Sequence, residues 1–446
     1  MENIIKEFNK KDTLLILTSF PERGGEVAVE NAVARYANLL VTNFPGKQKV
    51  VVICEKRNPK DLPYNLSENI LVYPAYRVDS NFFALDVATV TNIFDQVVSL
   101  MVQFEFSIFG GKGAIPQMIA LMAFERARGK YISIMLHQVV SDINSLSGHL
   151  GLAKYGLAAF AYNWLLYFFY KFLGLIANKI LVHDKALARA VSEYTDEAKI
   201  VVIPHGMNSP KRLSKRLGIT ERAKLGLGED EKVIMAFGYK SWYKGTDWIV
   251  KTMGQLAKKY PERKLKLVLA GGESPTLKET NAYRRFSGRL NRLISVNKKN
   301  LIETGFVPEA KVESLFAAAD IIVFPYRTKM SASGALSLAF GYGKAVLASQ
   351  AFSDNYREGD AGDFLRYYGV SPDRISYSLN IRSFERALFG LIDNPRLVGQ
   401  LSLAGREIAK GRSWPNVAQG YLDACLVVPG IEAAGLRRVT YAAEQV

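Results

Sequence analysis

The residues best suited to chemistry fall in two stretches of the second half of the chain. Pro325 to Leu336 follows an apolar strand pattern and opens a helical one. Small residues at Ser331, Ser333, Gly334 and Ala335 let backbone N–H groups approach a ligand closely, and a helix start adds partial positive charge. That combination suits an anion such as a diphosphate, with Arg327 and Lys329 close enough in sequence to add charge. An ordinary Ser/Gly helix cap has the same local pattern, so the loop gains meaning only from company. Phe237 to Asp247 supplies it: a strand end, a turn at Gly238, and Lys240 and Lys244 ahead of a helix that begins near Thr246. A lysine so placed neutralises phosphate charge as a leaving group departs.

The first half offers fewer candidates. The chain has four histidines, His137, His149, His183 and His205, too scattered in sequence for a metal site. His137 ends a strand pattern and is the one expected to act. His205 is open between ligand contact and hinge packing, and His183 and His149 read as structural. No Asp-x-Asp pair stands where a metal-bound nucleotide would need it, so neither metal nor cofactor is expected. The two cysteines, Cys54 and Cys425, indicate neither a zinc cluster nor a disulfide framework and fit a reducing compartment. Met1 to Lys6 lacks the apolar core of an export signal, so a cytoplasmic location is expected.

These residues need elements to hold them. A chain of 446 residues suits two domains. Thr13 to Thr18, a Gly-Gly turn, a helical pattern from Val29 to Leu40 and Lys49 to Cys54 make a βαβ unit with a parallel sheet. Strand patterns continue at 70–73, 100–104, 131–136, 179–182 and 198–203. The pattern breaks at Pro204-His205-Gly206, and the basic segment Lys211 to Lys224 reads as a linker. It restarts at 233–238, 265–272, 300–308, 321–325 and 345–349. The fold class is therefore α/β, with two Rossmann-like doubly wound domains: 1–207, 208–412, and a C-terminal helix and tail at 413–446 expected to cross back to the first domain.

Residues 156–177 are aromatic-rich, with Lys171 the lone charge. A bilayer span, a buried helix pair and a face resting on a membrane surface are all compatible with that composition. The net charge of +16 is lopsided: +2 over 1–205 and +14 over 206–446. Such a basic half fits an anionic partner, whether ligand phosphates or anionic lipid, and Arg284, Arg285, Arg289, Arg292, Lys298 and Lys299 lie on one helical stretch. No nucleic-acid module is present, so nucleic acid is not an expected partner.

Taken in order, the segments around Lys244, Gly305-Phe306-Val307-Pro308, 315–326 and 343–349 resemble the nucleotide-sugar half of the family 4 glycosyltransferases, retaining enzymes of the two-Rossmann, B-type architecture in which two domains face a cleft. The resemblance covers most of 230–425. It implies a nucleotide-sugar substrate, UDP- or GDP-linked, bound by Gly238, Lys240, Lys244 and Arg327. Gly305, Phe306 and Val307 would pass beside the base, and Ser331, Ser333, Gly334 and Ala335 would hold the diphosphate. More loosely, Gly24 and Gly25 resemble the family's first glycine loop beside the donor phosphates. His137 resembles its strand-end histidine near the donor sugar, and His205 its segment entering the second domain. Glu105, Gly110 and Gly111 resemble an acceptor-side loop. Lys244 and His137 would be the catalytic pair. The aromatic-rich 156–177 stretch and the basic second half, rather than the resemblance, point to a glycan or lipid-linked hydroxyl as acceptor and to peripheral contact at the inner face of the membrane.

One departure matters. Most members carry two glutamates eight positions apart, and here those positions fall on Met330 and Leu338, with no acid between Asp320 and Asp354. A Ser-x-Ser-Gly version of the loop would have to substitute backbone and hydroxyl groups. The missing pair leaves open a non-catalytic nucleotide-sugar binder or partner subunit, and the architecture alone leaves open an epimerase or a phosphorylase.

Overall fold

The computed structural model describes residues 2–23, 32–78, 80–106, 108–110, 113–140, 142–146, 155–274, 277–329 and 333–427. Gly24, Gly25, Gly111, His149, Met330 and Ser331 lie outside the described residues. The chain forms two compact units. The first comprises Met1–Gly206 and resumes at Trp414; the second is Met207–Ser413.

The first unit is built on β1 (Leu14–Leu17), β2 (Val50–Glu55), β3 (Tyr64–Ser67), β4 (Ile70–Tyr76), β5 (Ser99–Phe104), β6 (Tyr131–Leu136), β7 (Lys179–Val182) and β8 (Ile200–Val202), in sheet order β3-β4-β2-β1-β5-β6-β7-β8. All neighbours are parallel except β3, which runs antiparallel to β4. Leu15, Leu17, Val51 and Ile53 enter one core, while Leu14, Ile16, Val50 and Val52 enter another on the opposite face. A two-residue side-chain period explains that split, and burial on both faces explains why the strands read as unbroken apolar runs. Helices Ala32–Val41 and Trp414–Cys425 cover the second face, their Tyr36 and Tyr421 hydroxyls 2.9 Å apart. The C-terminal helix thus packs in the first unit.

The second unit has β9 (Lys232–Phe237), β10 (Leu265–Ala270), β11 (Leu301–Gly305), β12 (Ile321–Phe324), β13 (Ala345–Ser349) and β14 (Ser376–Tyr377), all parallel, in order β11-β10-β9-β12-β13-β14. The chain moves outward from β9 through β10 and β11, then returns to β9's other side as β12. That reversal opens a crevice beyond the carboxyl ends of β9 and β12, the usual ligand position in such sheets.

Two expectations change. The segment expected as a linker over Lys211 to Lys224 contains a helix, Lys215–Lys224. A Cβ on Gly218 would lie 2.7 Å from the Ala317 carbonyl oxygen, so its absence lets this helix press on helix Glu309–Ala318. Arg222 then donates to the Ala318 carbonyl at 2.9 Å and pairs with Asp320 at 2.8 Å, which holds it there. The aromatic stretch at 156–177 is a single helix, Leu157–Ile176, and not a pair.

Candidate functional site

Lys244 sits in the crevice of the second unit, lined also by Phe237, Gly238, Tyr239, Lys240, Gly271, Pro325 and Tyr326. Each comes from the end of β9, β10 or β12, or from the turn that leads to helix Thr246–Lys259. The turn is fixed by two glycines. Gly245 has φ +69°, and a Cβ there would fall 1.9 Å from the Pro325 carbonyl oxygen. Gly238 has φ +112°, and a Cβ there would meet the Lys244 Nζ at 2.8 Å. Gly238 therefore makes the space in which the ammonium rests.

That ammonium has no carboxylate or hydrogen-bond acceptor among the described residues; its near neighbours are the rings of Tyr243 and Tyr326, each with its centroid 6.0 Å away. Lys244 is half-buried as a residue, and loss of water around its head pushes its pKa from 10.5 down to about 8. A cation held under these conditions gains most from an incoming anion.

Ser333 caps helix Gly334–Gly341, its Oγ accepting from the Leu336 N–H at 3.3 Å. The cap leaves the amides of Gly334 and Ala335, in the helix's first turn, for a ligand. Tyr326 links the two parts: its ring lies beside Lys244, and while burial raises the pKa of its hydroxyl, Ser333 is near enough to lower it in part. Gly305 ends β11 with φ +69°, and the following Phe306 is 52% exposed, while Val307 packs partly on the core. Phe306 thus offers an open ring at the carboxyl edge of the sheet.

Three expected cations are engaged elsewhere. Arg327 grips Asp247 with both terminal nitrogens, at 2.7 and 3.0 Å, donates to the Trp242 carbonyl at 2.6 Å, and lies over the Trp242 ring. Its charge braces the 241–247 turn. Lys240 lines the crevice but its Nζ donates to Glu303 on β11 at 2.7 Å. Lys329 pairs with Asp354 at 3.2 Å.

The first unit gathers three of the four histidines. His137 follows β6, its Nδ1 3.2 Å from His183 Nε2. His183 Nδ1 lies 3.2 Å from the Ile203 carbonyl oxygen, which can only accept. His183 therefore carries its proton on Nδ1 and accepts from His137 Nδ1–H. Burial, then the neighbouring His205, pushes the His137 pKa down to about 3, so His137 is neutral near pH 7. His205 donates from Nδ1 to the Gly206 carbonyl at 2.8 Å, and Tyr36 packs edge-on against all three rings at centroid distances of 5.0 to 5.5 Å. Gly206 is needed because a Cβ would fall 2.4 Å from the Trp414 ring. His183, expected to be structural only, turns out to orient His137. Their separation of 46 positions hides that contact from sequence.

At the ends of β1, β2 and β5, Thr18 donates to Gln103 at 3.2 Å, and Ser19 and the Phe20 N–H donate to Glu55 at 2.6 and 3.2 Å. These bonds set the start of the loop that leads to Gly24. Of the acceptor-side candidates, Glu105 follows β5 directly, and Gly110, further along the same connection, has φ +113°. No group of three or more His, Cys, Asp or Glu among the described residues is placed to hold a metal ion.

Residues 231–375, which include β9 to β13 and the crevice, match the sequence profile of the glycosyl transferases group 1 domain. A glycosyltransferase of Methanocaldococcus jannaschii, itself uncharacterized, is 28% identical over 153 residues, 33% of this chain and 36% of its own length. The D-inositol 3-phosphate glycosyltransferase of Corynebacterium aurimucosum is 24% identical over 155 residues, 33% of this chain and 35% of its own. The chain thus spans about a third of the length of the curated relatives it matches. Among solved structures, sucrose-phosphate synthase of Thermosynechococcus elongatus aligns with TM-score 0.63 at 14% identity over 92% of this chain and 96% of that one. An Anabaena protein in complex with UDP-glucose aligns with TM-score 0.62 at 14% identity over 91% and 97%. At that identity the likeness shows the fold, which is the two-domain parallel-sheet architecture of B-type glycosyltransferases. Over 231–375, about a third of its length, the chain carries a glycosyl transferases group 1 domain.

Proposed function

We propose that the chain is a retaining glycosyltransferase that moves a hexose from a nucleoside-diphosphate sugar to a glycan or lipid-linked hydroxyl without a metal. The observation that carries this reading is Lys244: a half-buried ammonium with no anionic partner among the described residues, beside a helix start whose first amides are open to a ligand. A diphosphate matches both. Lys244 and the 334–335 amides would stabilise the charge that gathers on the diphosphate as the sugar leaves. Phe306 would flank the base. In the first unit, neutral His137 would contact the sugar, and Glu105 and Gly110 would border the acceptor. The Anabaena neighbour, solved with UDP-glucose, supports a UDP-linked donor. Retention rests on the family resemblance alone.

The absence of an acid between Asp320 and Asp354 favours a second reading, a nucleotide-sugar binder that does not turn over. A thermal-shift screen against UDP- and GDP-sugars, followed by chromatography of the donor incubated with lipid and glycan acceptors, separates the two. Stabilisation with nucleoside diphosphate released supports transfer. Stabilisation without release supports the binder, and no stabilisation by any donor refutes both.

A further inference from the structure

The helix Leu157–Ile176 is apolar around its circumference, yet only one face is covered. Ala159, Phe169, Tyr170, Leu173 and Gly174 are buried in the first unit. Leu157, Phe160, Trp164, Phe168, Phe172 and Leu175 recur at helical spacing and face outward, with Leu157 90% exposed and Leu175 75%. Their exposed apolar surface is on the order of 700 Å², above the roughly 300–600 Å² of the largest patch on an ordinary monomer. A soluble helix normally turns a polar face to water.

The helix does not cross a bilayer, although 20 residues reach far enough. It connects β6 to β7, parallel neighbours paired from Ser133–Lys179 to Leu136–Val182. Such a crossover runs back along its own sheet. Crossing would strip its buried face from the core.

We propose that this face seats in the headgroup layer of an anionic lipid bilayer. Charge selects that occupant over a second copy of the chain. The helix carries one charged residue, the cation Lys171, and no acid. The chain as a whole carries +16. Two such chains repel each other, whereas anionic headgroups attract the chain. Trp164 and Tyr167, each with an apolar ring and a polar tip, suit the boundary between acyl chains and water.

The covered side of the same helix meets the segment after His137. The Val140 N–H donates to the Tyr170 hydroxyl at 2.9 Å, and the Ile143 N–H to Asn163 at 2.7 Å. A bilayer under the helix would therefore lie close to the loop that leaves His137, where a lipid-linked acceptor could enter. That link rests on the transfer reading; the seat on the bilayer does not.

The test is flotation with phosphatidylcholine vesicles, with and without phosphatidylglycerol, at low and high salt. The expected result is binding to the anionic vesicles that falls at least about tenfold on phosphatidylcholine alone or in high salt. A Phe160→Ser, Trp164→Ser, Phe168→Ser triple variant should lose binding by a similar factor while keeping its circular dichroism. Its thermal shift with nucleotide-sugar should equal that of the wild type, a readout that tests the transfer reading separately. A wild type that ignores both vesicle types overturns the proposal, as does a triple variant that binds like the wild type. So does a solution dimer that the triple variant dissolves. If the triple variant fails to fold, Trp164 emission decides, taken as the difference between wild type and Trp164→Phe: a blue shift on anionic vesicles supports the seat, and an unchanged spectrum refutes it.

Discussion

Replacing Lys244 by Met should make the unliganded protein more stable and rob it of its donor. The pKa of Lys244 falls from 10.5 to about 8 through loss of water, with no compensating partner among the described residues. Between those two values the unfolded chain holds the proton more tightly than the folded one, so wild-type stability rises with pH across that window. Below pH 8 the full cost is present, and 2.5 units at 1.36 kcal/mol each make it up to about 3 kcal/mol. Methionine, unbranched and of similar length, avoids the cost. For a unit the size of Met207–Ser413 the gain corresponds to roughly 6 to 12 °C in Tm. It should be largest near pH 7 and vanish as pH rises through 8 toward 10.5. Lys344, also lowered to about 8, is common to both proteins and cancels in the comparison. Donor binding moves the other way. Lys244→Met should weaken it about 10- to 100-fold, the worth of one charge-assisted hydrogen bond. Wild-type affinity should hold up to about pH 8 and then fall toward tenfold per unit as the ammonium deprotonates, while the variant is flat. Calorimetric unfolding and titration calorimetry at several pH values read both effects. A variant that is less stable than wild type at pH 7, yet binds donor as well, would refute the argument.

Other consequences concern the supports. Gly245→Ala should cost roughly 2 kcal/mol or more, because a left-handed residue gains a Cβ 1.9 Å from the Pro325 oxygen; chemical denaturation checks it. Lys240→Met should change donor affinity far less than Lys244→Met, since Glu303 already takes its charge, and calorimetry side by side reads the difference. Asp247→Ala should free Arg327 and loosen the 241–247 turn, lowering donor affinity about tenfold although the charge lost is negative. His183→Phe removes the acceptor for His137 Nδ1–H, and nitrogen chemical shifts of the His137 ring should report a change of tautomer.

The fold was legible because strands buried on both faces leave unbroken apolar runs, as at Leu14–Leu17 and Val50–Val52. The short edge strand Tyr64–Ser67 left no such trace, since three of its four residues are exposed. The helix Lys215–Lys224 was hidden for a related reason: only Gly218 and Glu221 are buried, so no apolar stripe marks it. At the site, residue types and local spacing pointed to Lys244, Gly238 and the 333–335 helix start, because turn and cap chemistry is local. Which cation stays available is not local. Arg327 meets Asp247 across 80 residues and Lys240 meets Glu303 across 63, and only the parallel sheet brings them together. The same holds for Tyr36, whose position among three histidines follows from its helix lying on the sheet.

The most direct test of the central claim is donor turnover. Purified protein, UDP- or GDP-hexose and a lipid or glycan acceptor mixture are incubated at pH 7, and free nucleoside diphosphate and glycosylated product are quantified together. Equal amounts of both, falling about 100-fold or more with Lys244→Met, are the predicted result. Transfer that proceeds at the wild-type rate in Lys244→Met would contradict it.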